Sequence, residues 1–134
     1  ISDKSLKAIQ EDYPNIHFTG TYNHSQSPFI LKAFDIGILP YRDNEFFWHF
    51  RPLKFFEYAA AGLPTISARS DQLKEFSTDF VKVVPSQAEK WIEAIDAQLK
   101  ADRVTTRKIG MEIASRFIWE DMTNDLLEKI HSYL

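Results

Sequence analysis

Lys54 and Glu57 stand three residues apart just after Pro52, in the run Arg51-Pro52-Leu53-Lys54-Phe55-Phe56-Glu57-Tyr58. Proline at the first turn marks a helix start, and a three-residue step puts both charged side chains on one helix face. A helix start offers free backbone N–H groups and the positive end of the helix dipole, and together these hold phosphate. Pro52 has no N–H, so the donors left are those of Leu53 and Lys54. A cation for phosphate oxygens beside a carboxylate for sugar hydroxyls matches the polar outline of a nucleotide. The same spacing also describes an ordinary solvated surface pair, which is the commoner occurrence. Leu53, Phe56 and Ala60 are expected to turn the other way, into the core.

The loop before this helix, Tyr41 to Phe50, carries Arg42, Asp43 and Glu45 and then Phe46-Phe47-Trp48. The charges fit a solvated loop as readily as a catalytic one. Three consecutive aromatics in a loop cannot all point inward, so an exposed aromatic surface is expected there. The four histidines, His17, His24, His49 and His131, show no metal-ligand spacing. His17 is expected to be structural, and His24 and His131 to be surface residues. Without cysteine there is no disulfide framework, thiolate zinc site or cysteine nucleophile, and a reducing compartment is the natural setting.

The elements that must carry these residues follow from composition and pattern. The 134 residues make one domain of ordinary size, 44% hydrophobic and 26% charged, as in a soluble globular chain. Sixteen Lys+Arg against nineteen Asp+Glu leave a net charge of −3, so a nucleic-acid partner is not expected. No apolar run is long enough to span a bilayer and no signal peptide is evident. Ile1 opens the chain and no Met precedes Met111, so the chain is expected to be a piece of a longer protein. Eleven Phe imply an aromatic-rich core, or an exposed face that meets something else.

Asn15 to Gly20 reads as a strand, Ser27-Pro28 as the cap and first position of a helix through Phe34, and Ile36 to Leu39 as an apolar strand stopped by Pro40. Leu53 to Ala61 reads as a helix ended by Gly62 in a left-handed cap, with Pro64 beyond. Thr65 to Ala68 and Phe80 to Val84 read as two further strands. Ser86 and Glu89 form a capping box for a helix with Trp91, Ile92, Ile95 and Leu99 on its inner face. Ile109, Ile113 and Phe117 mark the next helix, and Trp119, Met122, Leu126, Ile130 and Leu134 the last. Alternating strands and helices predict an α/β, Rossmann-like parallel sheet of about four strands flanked by helices, with a helical C-terminal tail. Ligands of such sheets sit beyond the carboxyl ends of the strands, where Gly20 to Asn23, Tyr41 to Arg51 and Arg69 to Asp71 fall.

The run Pro52-Leu53-Lys54-Phe55-Phe56-Glu57-Tyr58-Ala59-Ala60-Ala61-Gly62-Leu63-Pro64 resembles the "P-L-K-x-x-E-Y-x-A-A-G-x-P" signature of group 1 glycosyltransferases of GT-B fold, especially the bacterial branch that builds polysaccharides. The stretches Asn15-Ile16-His17-Phe18-Thr19-Gly20, Asp35-Ile36-Gly37-Ile38-Leu39-Pro40 and Phe117-Ile118-Trp119-Glu120 are similar to other runs of that family, in the same order. The resemblance implies that residues 1–134 form part of a C-terminal, nucleotide-sugar-binding domain of Rossmann-like type. The acceptor would be a glycan or a lipid-linked glycan, bound mainly by an N-terminal domain missing from this chain. Alone, the chain would then be inactive.

By the same resemblance, Glu57 matches the carboxylate that binds ribose hydroxyls, and Leu53 and Lys54 match helix-start positions near the diphosphate. Thr21 and Tyr22 match a loop whose backbone meets the base. The donor would be a UDP- or GDP-sugar, used as substrate, with no cofactor and no protein-bound metal. Many relatives carry a second Glu eight positions before the ribose Glu, in contact with the transferred sugar; here that position is His49. A retaining reaction is therefore not implied, an inverting one stays open, and His49 is the candidate contact to the donor sugar. A cytoplasmic location is expected, with peripheral contact to the inner membrane face as an extension of it. Exposed aromatics also lead us to expect self-association. The rival reading is a non-catalytic α/β interaction module that uses its aromatic surface for partners.

Overall fold

The computed structural model describes residues 3–76 and 78–133, with side chains from Leu6 onward. In chain order the elements are α1 (Asp3–Asp12), α2 (Ser27–Leu31), β1 (Gly37–Leu39), α3 (Glu45–Trp48), α4 (Leu53–Ala61), β2 (Thr65–Ser67), β3 (Val81–Val83), α5 (Ala88–Leu99), α6 (Arg103–Ser115) and α7 (Trp119–Tyr133). A single turn of 3₁₀ helix, His24–Gln26, leads into α2. The fold is α/β, with a parallel sheet flanked by helices and a helical C-terminal part.

The sheet runs β1-β2-β3, all parallel, with Ile38 opposite Ile66 and Ile66 opposite Lys82. The middle strand is buried along its whole length, as a continuously covered parallel strand must be. Beneath it lies a core of Leu39, Phe55, Ala59, Leu73, Phe80, Val81 and Ile113. Much of the phenylalanine load goes here. Phe55 meets Phe76 at 4.9 Å and Phe80 at 6.0 Å between ring centroids, and Phe56 meets Phe117 at 4.7 Å. These contacts join α4 to the β2–β3 connection and to the chain just after α6.

The segment Asn15 to Gly20, expected as a strand, forms none. It runs exposed across the surface, with Ile16 36% and Phe18 43% accessible. It pairs with no strand among the described residues, and β1, paired with β2 alone, keeps its other edge unpaired there. The described sheet therefore has three strands.

Helix α4 begins and ends where its punctuation places it. Pro52, extended at φ −67°, ψ 133°, is its N-cap, and Gly62 takes the left-handed C-cap at φ 67°, ψ 28°. The Gly62 N–H donates to Ala59 O and the Leu63 N–H to Tyr58 O, which satisfies the last-turn carbonyls. A side chain at Gly62 would be strained in that conformation.

The inner faces differ from expectation in two helices. On α4 the buried residues are Phe55 and Ala59, while Leu53 is 65% exposed and Ala60 is exposed. Leu53 lies about 200° around the helix from the fully buried Phe55, so its side chain meets solvent. On α5 the buried residues are Ala94 and Gln98, and Ile92 and Leu99 lie exposed. Small Ala94 allows close approach, and Gln98 Nε2 donates to Phe80 O at 3.3 Å, tying the helix to the entry of β3. The expected Ser86–Glu89 box does not form; Gln87 is the N-cap and offers no side-chain bond.

Helix α2 is shorter than expected, ending at Leu31, and Ser27 is its first helical residue, with Gln26 as N-cap. Helices α1 and α3 lay in stretches not read as helical. α7 buries none of its described residues; Leu134, expected on its apolar face, lies outside the described residues. No helix among the described residues is long and apolar enough to cross a membrane.

Candidate functional site

Two groups of side chains gather at the carboxyl edge of the sheet, where the β1–α4 connection and the start of α4 lie. The first is built on α4. Lys54 Nζ is 2.6 Å from Glu57 Oε2, and the Ser27 hydroxyl donates to that same oxygen at 3.2 Å. Lys54 Nζ also donates to the Tyr22 hydroxyl at 3.2 Å and stands 5.8 Å from the centre of its ring. Both donors fall on Oε2, so Oε1 carries no hydrogen bond from any described residue. Glu57 keeps 27% of its side chain exposed and Lys54 44%. The result is a held carboxylate with one open acceptor oxygen, a cation beside it and an aromatic hydroxyl over the cation.

The bond to Glu57 raises the Lys54 pKa above the ordinary lysine range, against a smaller lowering by desolvation. Lys54 is thus cationic throughout the neutral range. The stabilisation it gains from Glu57 is complete below the ordinary lysine pKa and is lost as pH rises through the raised value. At this exposure the pair contributes little to folding by itself. The Leu53 and Lys54 N–H groups precede the first bond of the helix, from Phe55 N–H to Pro52 O at 3.0 Å. They are donors that the helix itself does not use.

The second group stitches the loop after β1 to the loop after β2. Asn44 caps α3, its side chain accepting from the Phe47 N–H at 3.2 Å. Trp48 Nε1 donates to Asp43 at 2.5 Å, and the Arg69 guanidinium lies 3.7 Å from the centre of a Trp48 ring. The Asp71 N–H donates to Trp48 O at 2.7 Å, and Ser70 Oγ to Phe50 O at 3.1 Å. Arg51 reaches Glu75 and Gln72 and lies over the Phe76 and Phe117 rings. Arg51, directly before the signature run, is therefore a bracing residue. The Lys74 bond is the main cause holding the Asp71 carboxyl below its usual range, and the nearby Arg69 guanidinium adds to it. Phe46 projects from this edge 73% exposed, its ring stacked on Phe50 at 6.2 Å.

Of the residues singled out by sequence, Tyr22, Lys54 and Glu57 come together, with Leu53 at the same helix start. Thr21 is exposed on the neighbouring segment, and His49 is exposed at the C-cap of α3. Neither shares a hydrogen bond or ion pair with Lys54 or Glu57 among the described residues. Ser27 was legible only as a cap; its bond to Glu57 spans thirty positions, and no local pattern announces it. A separate cavity of about 220 Å³ opens at the opposite, amino edge, lined by Asp35, Pro64, Gln98, Arg103, Thr106 and Arg107 among others. It adjoins the carbonyl ends of α2, α4 and α5, and its Arg103 is already paired with Asp35. Neither feature favours it over the carboxyl edge, where ligands of such sheets bind.

Comparison with known proteins bears on this edge directly. A 68-residue stretch, 51% of the chain, is 31% identical to the Bacillus subtilis (strain 168) protein named "Putative teichuronic acid biosynthesis glycosyltransferase TuaH", and spans 17% of that protein's length. No solved structure matches the chain significantly. The family model described as "Glycosyl transferases group 1" matches residues 2–101, a span that contains the whole sheet and, apart from Phe117, both side-chain groups. The chain belongs to the group 1 glycosyltransferases.

Proposed function

We propose that this chain supplies the nucleotide-sugar-binding half of a two-domain glycosyltransferase, with the donor lying along the start of α4. The observation that carries this reading is Glu57: its carboxylate is held by one oxygen and open at the other. An open carboxylate oxygen accepts a hydroxyl hydrogen bond strongly, and a ribose offers two neighbouring hydroxyls. Lys54 and the Leu53 and Lys54 N–H groups, one turn nearer the helix start, take the diphosphate. Tyr22, beside Lys54, lies where the base would enter. The donor is a UDP- or GDP-sugar, and His49 is the residue of the β1–α4 loop assigned to the transferred sugar.

In the same reading the exposed Phe46 edge and the apolar face of α7 turn toward the acceptor-binding domain. The acceptor is a glycan or lipid-linked glycan, in keeping with the teichuronic acid biosynthesis named for the Bacillus relative. The test is calorimetric titration of the full-length enzyme with UDP and GDP. A charge-assisted hydrogen bond contributes about 1.5–3 kcal/mol, so Glu57→Gln is expected to weaken nucleotide affinity roughly tenfold or more. Unchanged affinity in a folded Glu57→Gln protein overturns the assignment. An intact protein that binds neither nucleotide instead supports an interaction module.

A further inference from the structure

The structure assigns Ser27 as a positioning residue for Glu57: its hydroxyl helps fix the plane of the carboxylate, so that one oxygen stays held and the other faces the donor. This rests on the reading of Glu57 as the ribose-binding group. Ser27 is 4% exposed at the first turn of α2, and among the described residues the bond to Glu57 Oε2 is the one its side chain makes. A glutamate side chain on a helix surface rotates freely about its last bond, which turns the plane of its carboxylate. Lys54 alone does not stop this rotation. Its ammonium is half-exposed, sits at the end of a four-carbon stem and divides its donors between Glu57 and Tyr22.

Ser27 differs in each respect. Its stem is one carbon long, it is buried, and it comes from a different element. Two donors from two helices therefore converge on one oxygen and define the plane of the carboxylate. The second oxygen is then preorganised for a pair of hydroxyls, and ordering it costs nothing at the moment of binding. A serine that merely satisfied its own burial would lack this consequence, because losing it would not alter what Glu57 recognises in the ligand.

The ligand can report the difference. UDP, or GDP where that binds more tightly, is titrated against the full-length protein in parallel with its 2′,3′-dideoxy analogue, which lacks the hydroxyls. The wild type is expected to prefer the natural nucleotide. Ser27→Ala is expected to weaken the natural nucleotide by roughly three- to tenfold and to leave the analogue's affinity unchanged, shrinking the preference. In a Glu57→Gln background, Ser27→Ala should have no further effect. Equal loss for both ligands, or a preference retained in full by Ser27→Ala, overturns the positioning role. A wild type with no preference between the two ligands, or with no binding of either, overturns the ribose reading of Glu57 itself. Thermal melting of each variant accompanies the titrations, and a Ser27→Ala protein too unstable to titrate at room temperature is scored against the proposal, since it makes Ser27 a folding residue.

Discussion

Gly37→Ala tests whether α4 is set at its height over the sheet by one close contact. A Cβ built at Gly37 would stand 2.4, 2.6 and 2.9 Å from Cδ2, Cε2 and Cγ of Tyr58. These atoms form one edge of a ring, and Cγ is a single bond from the Cβ on α4, so the ring cannot simply swing its tip away. Either Tyr58 changes rotamer or α4 moves off β1. Overpacking of this kind costs about 1–3 kcal/mol. Against it stands the removal of a strand glycine, which favours alanine by roughly 0.5–1 kcal/mol. The clash wins, by about 1–2 kcal/mol, and the melting temperature should fall by roughly 3–6 °C for a domain of this size.

The assay is thermal and urea unfolding of the single variants and of the double variant with Tyr58→Ala. With the ring gone, Gly37→Ala should become neutral or stabilising, giving a coupling energy of about 1–2 kcal/mol. Because Tyr58 directly follows Glu57, the single variant should also bind nucleotide more weakly. An equal cost for Gly37→Ala with and without the Tyr58 ring would refute the reasoning.

Lys54→Ala should weaken UDP by roughly three- to tenfold while leaving uridine nearly unchanged, because only the phosphates need the cation; parallel calorimetry of the two ligands checks it. Leu53→Ala should change stability by less than about 0.5 kcal/mol, whereas Phe55→Ala should cost about 3–5 kcal/mol, the difference between an exposed and a fully buried side chain on one helix. At the start of α6 the Asp102 carboxylate accepts from the Thr105 N–H at 2.9 Å, and its bonds to Thr105 hold its pKa below the usual range. That cap stabilises above the ordinary aspartate range and is lost as pH falls through the depressed value. Asp102→Ala should therefore lower the melting temperature at neutral pH, and Asp102→Asn should flatten its fall in acid.

The parts of this fold that the sequence made legible are those with strong local punctuation. Pro52 and Gly62 bracket α4 to the residue, because one fixes φ and removes a donor while the other tolerates the left-handed cap. Ile66 and its neighbours read as a strand because β-branched and small residues stand there between Pro64 and the polar run after Ala68. Asn15 to Gly20 shows the opposite case. Its alternating apolar residues satisfy a strand pattern, yet a strand needs a partner edge, and that is a property of distant chain. The inner face of α5 was misread for a related reason: Ala94 and Gln98 are buried by close approach to the sheet, which periodicity of large apolar residues does not report. At the candidate site, Lys54 and Glu57 were visible as a three-residue step and Tyr22 through family resemblance. Ser27 was hidden because a side chain's long-range partner is fixed by how two helices pack.

Helix α7 has fifteen residues and no buried side chain, although Trp119, Met122, Leu126 and Ile130 make a continuous apolar stripe along it. A lone helix of that length is marginal in water, since most helical stability in proteins comes from packing. The amides of α7 should thus exchange with solvent deuterium orders of magnitude faster than those of α4 or β2, opening independently of global unfolding. Its helicity is a variable of the surroundings: circular dichroism at the helical band should rise when the stripe is covered and fall when it is not, while the melting of the sheet stays where it was.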